Sequence, residues 1–225
     1  VDRGVCGKDA ETSDLQDLLI YELKGISMYA ARARRLGAVD PEVDRWALTA
    51  LFATGTNVNF DADNVEGLIR KGAEIRDRAR AMLEAAGGEA SGLNGASRFV
   101  PAPTREGLLN QAAGIATPTR YVQLGEEVAG LQELVLYGLK GVAAYAEHAR
   151  KLGSESAEVY GAIHDILDAV ADPAAGQAAL IDAALKTGKL AYGVMEMLDA
   201  AHTSAFGHPW PAPVNVQPRK GKAIV

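Results

Sequence analysis

The sequence predicts an all-α protein of two tandem three-helix bundles related by internal duplication. Three observations lead there. First, Leu15 to Gly37, LQDLLIYELKGISMYAARARRLG, returns without a gap as Leu131 to Gly153, LQELVLYGLKGVAAYAEHARKLG, a register shift of 131 − 15 = 116 residues. Second, the apolar residues recur at helical spacing. Third, glycine, proline and aspartate punctuation cuts each copy into three amphipathic runs.

The first helix has a start signal in Ser13 and Gln16, which stand in capping-box spacing before the apolar run. Leu15, Leu18, Leu19, Leu23, Ile26 and Ala30 then share one helical face. Tyr21, Lys24, Gly25, Tyr29, Arg34 and Gly37 recur as Tyr137, Lys140, Gly141, Tyr145, Arg150 and Gly153. A mid-helix glycine costs about 1 kcal/mol against alanine, so its recurrence predicts a close helix crossing. Asp40-Pro41 starts the second helix, with the proline at the first helical position. "NVNFDADN" breaks that pattern and supplies capping aspartates for a third helix that closes on Gly87.

In the second copy, Ser154 to Val170 forms the middle helix, "ADP" ends it, and AAGQAALIDAALKTGKLAYGVMEMLDAAH is the third. Between the copies, a Gly-, Pro-, Ser- and Ala-rich stretch reads as a linker, with "TREGLLNQAAG" a short helix inside it. The prolines of HTSAFGHPWPAPVNVQPRKGKAIV exclude a helix, and "GKAIV" has the composition of a buried β-strand. A strand needs a partner, so a continuation past Val225 is expected. The expected organisation is a loop at 1–13, a bundle at 14–87, a linker at 88–130, a bundle at 131–203 and an extended tail at 204–225.

Hydrophobic residues make up 48% of the chain and aromatics only 6%, so the core must be aliphatic. A net charge of −6 argues against a nucleic-acid or anionic-membrane partner. One cysteine excludes an internal disulfide framework and fits a reducing cytoplasm. No apolar run approaches the roughly 18–20 residues of a membrane span, and no leader resembles a signal peptide.

That cysteine, Cys6 in "GVCGK", is the leading candidate for chemistry. Lys8 and the following helix would favour a thiolate, but no histidine is near in sequence to act as its base. An inert structural thiol and an orphaned metal ligand are the other readings. The flanking glycines favour a ligand, because cluster-binding loops turn backbone N–H groups toward sulfur and leave room for an inorganic core. His148, His164, His202 and His208 show no zinc spacing. His148 and His164 read as surface or satisfied interior groups. Glu22, Asp44, Asp165 and Asp168 are single acids expected on solvated faces. Lys24 and Lys140 read as lysines that snorkel at a bundle edge. No phosphate loop and no G-x-S-x-G elbow occurs.

Taken together, "GVCGKD", "LQDLLIYELKGISMYA", the repeated "LQELVLYGLKGVAAYAEHARKLG", "NVNFD" and "FGHPWPAPVNV...GKAIV" resemble the hybrid cluster protein family, also called hydroxylamine reductases or prismane proteins. The resemblance covers essentially the whole chain, weakest from Gly87 to about Gly130. It is to the family's N-terminal helical domain of two three-helix bundles. It implies an iron–sulfur oxidoreductase that reduces hydroxylamine to ammonia; nitric oxide reduction is also attributed to the family. It further implies an N-terminal cluster, [4Fe-4S] or [2Fe-2S], held by four cysteines, and a hybrid iron–sulfur–oxygen cluster held by later domains. The partners implied are those domains and an electron-donor protein. Cys6 corresponds to the last of the four cysteines. The other three are absent, so the chain is expected to be a helical-domain fragment with no cluster and no activity of its own. A carbon monoxide dehydrogenase-like helical domain and a non-catalytic helical interaction module are the alternatives; "LIYELKGISMYA" and "FGHP" favour the hybrid cluster protein.

Overall fold

The structure, a computed structural model, describes residues 7–93, 95–211 and 213. Among them there are eight α-helices, one 3-10 turn and no strand: α1 (Ala10–Arg35), α2 (Pro41–Ala53), α3 (Ala62–Ala85), the turn Gly95–Arg98, α4 (Arg105–Ala113), α5 (Thr117–Leu124), α6 (Glu126–Lys151), α7 (Ala157–Ala171) and α8 (Gln177–Phe206). The all-α class is as expected. "GKAIV" lies outside the described residues.

Local hydrogen bonds fix most of the boundaries. Asp40 caps α2 ahead of Pro41, and Asp61 caps α3 by accepting from the Asp63 and Asn64 amides. The capping box at Ser13 is not formed. α1 starts earlier, at Ala10, capped by Asp9, whose carboxylate accepts from the Thr12 amide at 2.7 Å. Gln16 is drawn away to Lys8 and Asn59. α7 begins at Ala157 rather than Ser154, because the Ser156 hydroxyl takes the capping role. α1 and α6 end alike: the amides of Ala38 and Ser154 reach Ala33 O and Ala149 O, with Gly37 and Gly153 at φ +83° and +86°.

The helices of the two halves begin in step. α6 starts 126 − 10 = 116 residues after α1, and α7 starts 157 − 41 = 116 residues after α2. α1 packs on α3 and α6 on α8, but the middle helices cross over: α2 lies mainly against α6, and α7 mainly against α1. One continuous aliphatic core therefore holds residues of both halves, among them Leu19, Leu48, Leu139 and Leu167. Gly161 of α7 makes room for the Arg34 side chain of α1 in this exchange.

The stretch read as a linker, 88–130, is folded onto the bundles. Phe99 meets Tyr21 edge to face at 5.8 Å, and Leu108 and Ala112 of α4 are fully buried. Its Gly/Pro-rich composition hides a few well-spaced apolar anchors. Gly25 does mark a close approach, but to the backbone of the 3-10 turn rather than to a helix: an added Cβ would lie 2.1 Å from Ala96 O. Gly141, its counterpart, has nothing within 4 Å.

The helix pairs α1–α3 and α6–α8 are keyed in opposite senses. Glu22 of α1 fills the space at Gly72 of α3, whereas Thr187 of α8 fills the space at Gly138 of α6. The large residue sits on the first helix in one pair and on the last helix in the other.

Candidate functional site

Cys6 lies outside the described residues. The chain beyond it is anchored: Lys8 Nζ donates to Gln16 Oε1 at 2.7 Å, and Gln16 Nε2 donates to Asn59 O at 2.8 Å. The backbone leaving Cys6 is thus tied to the first turns of α1 and to the α2–α3 loop.

Beside this anchor, charged side chains of α1, α5 and α6 gather around a small cavity. Asp17, Tyr21 and Lys24 stand at i, i+4 and i+7 on α1, and Glu133, Tyr137 and Lys140 repeat that spacing on α6. Asp17, Tyr21, Lys24, Glu133 and Lys140, with Arg120 of α5, line a cavity of about 20 Å³, room for a single water. Arg120 donates to the Glu133 carboxylate and to Thr117 Oγ1, and the Thr117 amide donates to Asp17 at 3.3 Å. α5 is thereby clamped between α1 and α6. Lys140 Nζ stands 5.2 Å from the centre of the Tyr137 ring.

Burial dominates the electrostatics. It lowers Lys24 to a pKa of about 8, with Arg120 adding to the effect against Glu133 and Asp17. Burial also lowers Lys140 and raises Asp17. Lys24 does not snorkel; its side chain is enclosed, 7% exposed. Lys8 opposes the charge on Lys140 electrostatically, which connects the cavity to the segment that follows Cys6.

A second polar cluster joins α1, α2 and α7. Ser27 Oγ lies 3.0 Å from His164 Nδ1, His164 Nε2 lies 3.2 Å from Asp44 Oδ1, and Arg34 Nη2 donates to both Asp44 oxygens at 2.7 Å. Burial pushes the Asp44 pKa up, but the hydrogen bonds from His164 and Arg34 outweigh it and hold the carboxyl below its usual range. The connectivity is that of a serine–histidine–aspartate triad. All three side chains are buried, so the arrangement serves as a tether between helices. His164 is the satisfied interior histidine expected, whereas Asp44 is not on a solvated face.

Glu22 is likewise enclosed, at Gly72, and neither of its oxygens has a hydrogen-bond partner among the described residues. Burial raises its pKa to about 9 against the pull of Arg76. It is a neutral carboxylic acid at neutral pH. His148 is exposed and packs edge-on with Phe52, while Asp165 and Asp168 pair with Arg35 and Arg32. An open groove of about 680 Å³ between α7 and α8 is mainly apolar. Ser156 lines it, with its hydroxyl occupied at the start of α7.

No group of three or more His, Cys, Asp or Glu among the described residues is placed to hold a metal ion. The donors described do not fit an iron–sulfur cluster, which takes thiolates. No helix among the described residues is long and apolar enough to cross a membrane.

Comparison with known proteins bears on the whole chain. The profile described as the Prismane/CO dehydrogenase family matches residues 1–225. A protein named hydroxylamine reductase from Burkholderia lata is 45% identical over 227 aligned residues, and those from Acidiphilium cryptum and Rhodospirillum rubrum are 43% and 42% identical. In each case the alignment takes in 99% of this chain but 41% of the relative. The chain therefore spans about two-fifths of the length of these curated relatives.

Proposed function

Since the chain belongs to the Prismane/CO dehydrogenase family, we propose that it is the helical part of a longer iron–sulfur oxidoreductase that reduces hydroxylamine. The observation that carries this reading is the 45% identity with a hydroxylamine reductase along 99% of the chain. Reduction of hydroxylamine to ammonia and water consumes two electrons and two protons. The bond-making groups belong to the part of the parent protein outside this chain, and an electron-donor protein supplies the electrons. The reducing cytoplasm suits such a protein. Cys6 is proposed as one of four thiolate ligands of an N-terminal cluster, [4Fe-4S] or [2Fe-2S].

In this reading the described residues act as scaffold. The Lys8–Gln16–Asn59 chain of hydrogen bonds fixes the backbone that leads away from Cys6. The Arg120 clamp and the Ser27–His164–Asp44 tether join α1 to α2, α5, α6 and α7. The helices shield the clusters of the parent protein from solvent and limit the paths of substrate to them.

The test is iron content, anaerobic absorption and ammonia formation from hydroxylamine in a full-length protein carrying this chain. Cys6→Ser is expected to lower both iron content and the cluster absorption, and to slow turnover. Iron content and spectrum unchanged by Cys6→Ser would overturn the ligand assignment. Full-length protein without iron or hydroxylamine turnover would overturn the enzyme reading.

A further inference from the structure

The repeated helix motif carries a tyrosine–glycine–tyrosine stripe, Tyr21, Gly25 and Tyr29 on α1 and Tyr137, Gly141 and Tyr145 on α6, each with spacing i, i+4, i+8. On α1 the stripe is occupied. The backbone of the 3-10 turn presses so closely on Gly25 that no Cβ fits, Phe99 packs on Tyr21, and the Tyr29 hydroxyl donates to Ser97 O at 3.2 Å. The covering segment continues along α3, where Arg70 donates to Ala102 O and Pro103 O. An extended piece of chain thus lies in the groove between α1 and α3.

On α6 the same stripe is bare. Gly141 faces open space, and Tyr137 and Tyr145 are 59% and 42% exposed. The adjoining face of α8 differs from that of α3 in a telling way. With the helices aligned from their first residues, 177 − 62 = 115 apart, the buried Val65, Gly72 and Ala79 match the buried Leu180, Thr187 and Val194. In that register the outward Glu66, Arg70, Asp77 and Arg80 of α3 match Ile181, Leu185, Tyr192 and Met195 of α8. Leu185 and Tyr192 are 71% and 72% exposed. On α3 the charged residues lie beside the covering segment, Arg70 bonding to it; four large apolar residues exposed together on α8 mark a face that is covered in the working protein.

We propose that the α6–α8 groove, flanked by the exposed Tyr137, Gly141, Tyr145, Leu185, Tyr192 and Met195, seats a segment of the polypeptide that full-length relatives carry outside the matched region, with backbone against Gly141 as Ala96 lies against Gly25. The matched region is 41% of such a relative, so 100 − 41 = 59% of its length remains to supply the occupant. The inference rests on the reading that this chain works inside a longer protein. The mode of binding is already demonstrated within the chain: a short 3-10 piece with an aromatic anchor packed on the first tyrosine and a main-chain carbonyl offered to the last. The occupant is expected to present the same features.

Hydroxyl-radical footprinting, read peptide by peptide, tests this on the 225-residue chain and on a full-length protein that carries it. Labelling of Tyr137, Tyr145 and Tyr192 is expected to fall several-fold in the full-length protein, while the half-exposed Tyr121 of α5 changes little. Gly141→Trp in the full-length protein is expected to restore labelling of Tyr145 and Tyr192 without altering helix content. Equal labelling of the groove in both proteins overturns the proposal. So does a groove already protected in the 225-residue chain with a dimer mass in sedimentation equilibrium, since a second copy would then be the occupant. The readout involves no metal. Groove protection without iron leaves this inference standing and sinks the oxidoreductase reading, and iron without protection does the reverse.

Discussion

A methyl group added at Gly25 would meet a backbone carbonyl at 2.1 Å, whereas one added at Gly141 would meet nothing within 4 Å. Since a backbone atom cannot swing aside as a side chain does, Gly25→Ala is expected to cost about 1–3 kcal/mol through overpacking. In the 225-residue chain, Gly141→Ala is expected to stabilise by about 1 kcal/mol, the helix propensity gained without steric penalty. Denaturant titration of the two variants checks both signs, and a stabilised Gly25→Ala would contradict the packing described. At this scale the sequence marks positions better than surroundings. Repetition singled out Gly25, Lys24 and Tyr29, but what faces each is decided by residues some 70 to 100 positions away, such as Ala96 and Arg120. Lys24 and Glu22 read as solvated because lysine and glutamate ordinarily are; their enclosure follows from the packing of α5 and α3, which leaves no local trace.

Where helices meet, charge set against burial gives the contact a pH dependence. Glu22, at the α1–α3 contact, has its folded pKa raised to about 9 from 4.5. Between those values the folded protein holds a proton that the unfolded chain releases, so stability falls as pH rises through that window. Between pH 5 and 8 the fall is expected to be about 1–4 kcal/mol, and Glu22→Gln is expected to flatten it. Above pH 8 the lowered pKa of Lys24 adds an opposite slope: there the unfolded chain binds the extra proton, and stability rises with pH. The Glu22 effect is therefore read below pH 8, by urea titration in a pH series; an identical slope in wild type and Glu22→Gln would refute it. The starts of α2 and α3 and the ends of α1 and α6 were legible because capping aspartates, Pro41 and the closing glycines act within a few residues of themselves; α8, by contrast, runs through His202 to Phe206 into the tail expected to be extended, because the first proline there stands only at Pro209. α5 was not legible, since its role comes from Arg120 reaching across to Glu133. Nor was the crossing of α2 and α7, since Ser27 and His164 meet across 137 residues of chain.

For the molecule as a whole, the crossing makes the two halves interdependent. Residues 1–87 alone would leave bare the face of α1 that α7 covers, and would lose His164 from the Ser27–Asp44 tether. That fragment is expected to show little helix and no cooperative melt by circular dichroism, while the intact chain unfolds in one transition by both circular dichroism and tryptophan fluorescence. A cooperative melt of the isolated fragment would show the halves to be autonomous.

Two first helices as alike as α1 and α6 offer the folding chain a route to error, a trade of their third-helix partners. The opposed pairs Glu22–Gly72 and Gly138–Thr187 act against that trade. If α1 took α8, the Glu22 carboxyl would be driven into Thr187; if α6 took α3, Gly138 would face Gly72 across an empty gap. One misassembly collides and leaves the other hollow, so side-chain size at these four positions penalises both errors together.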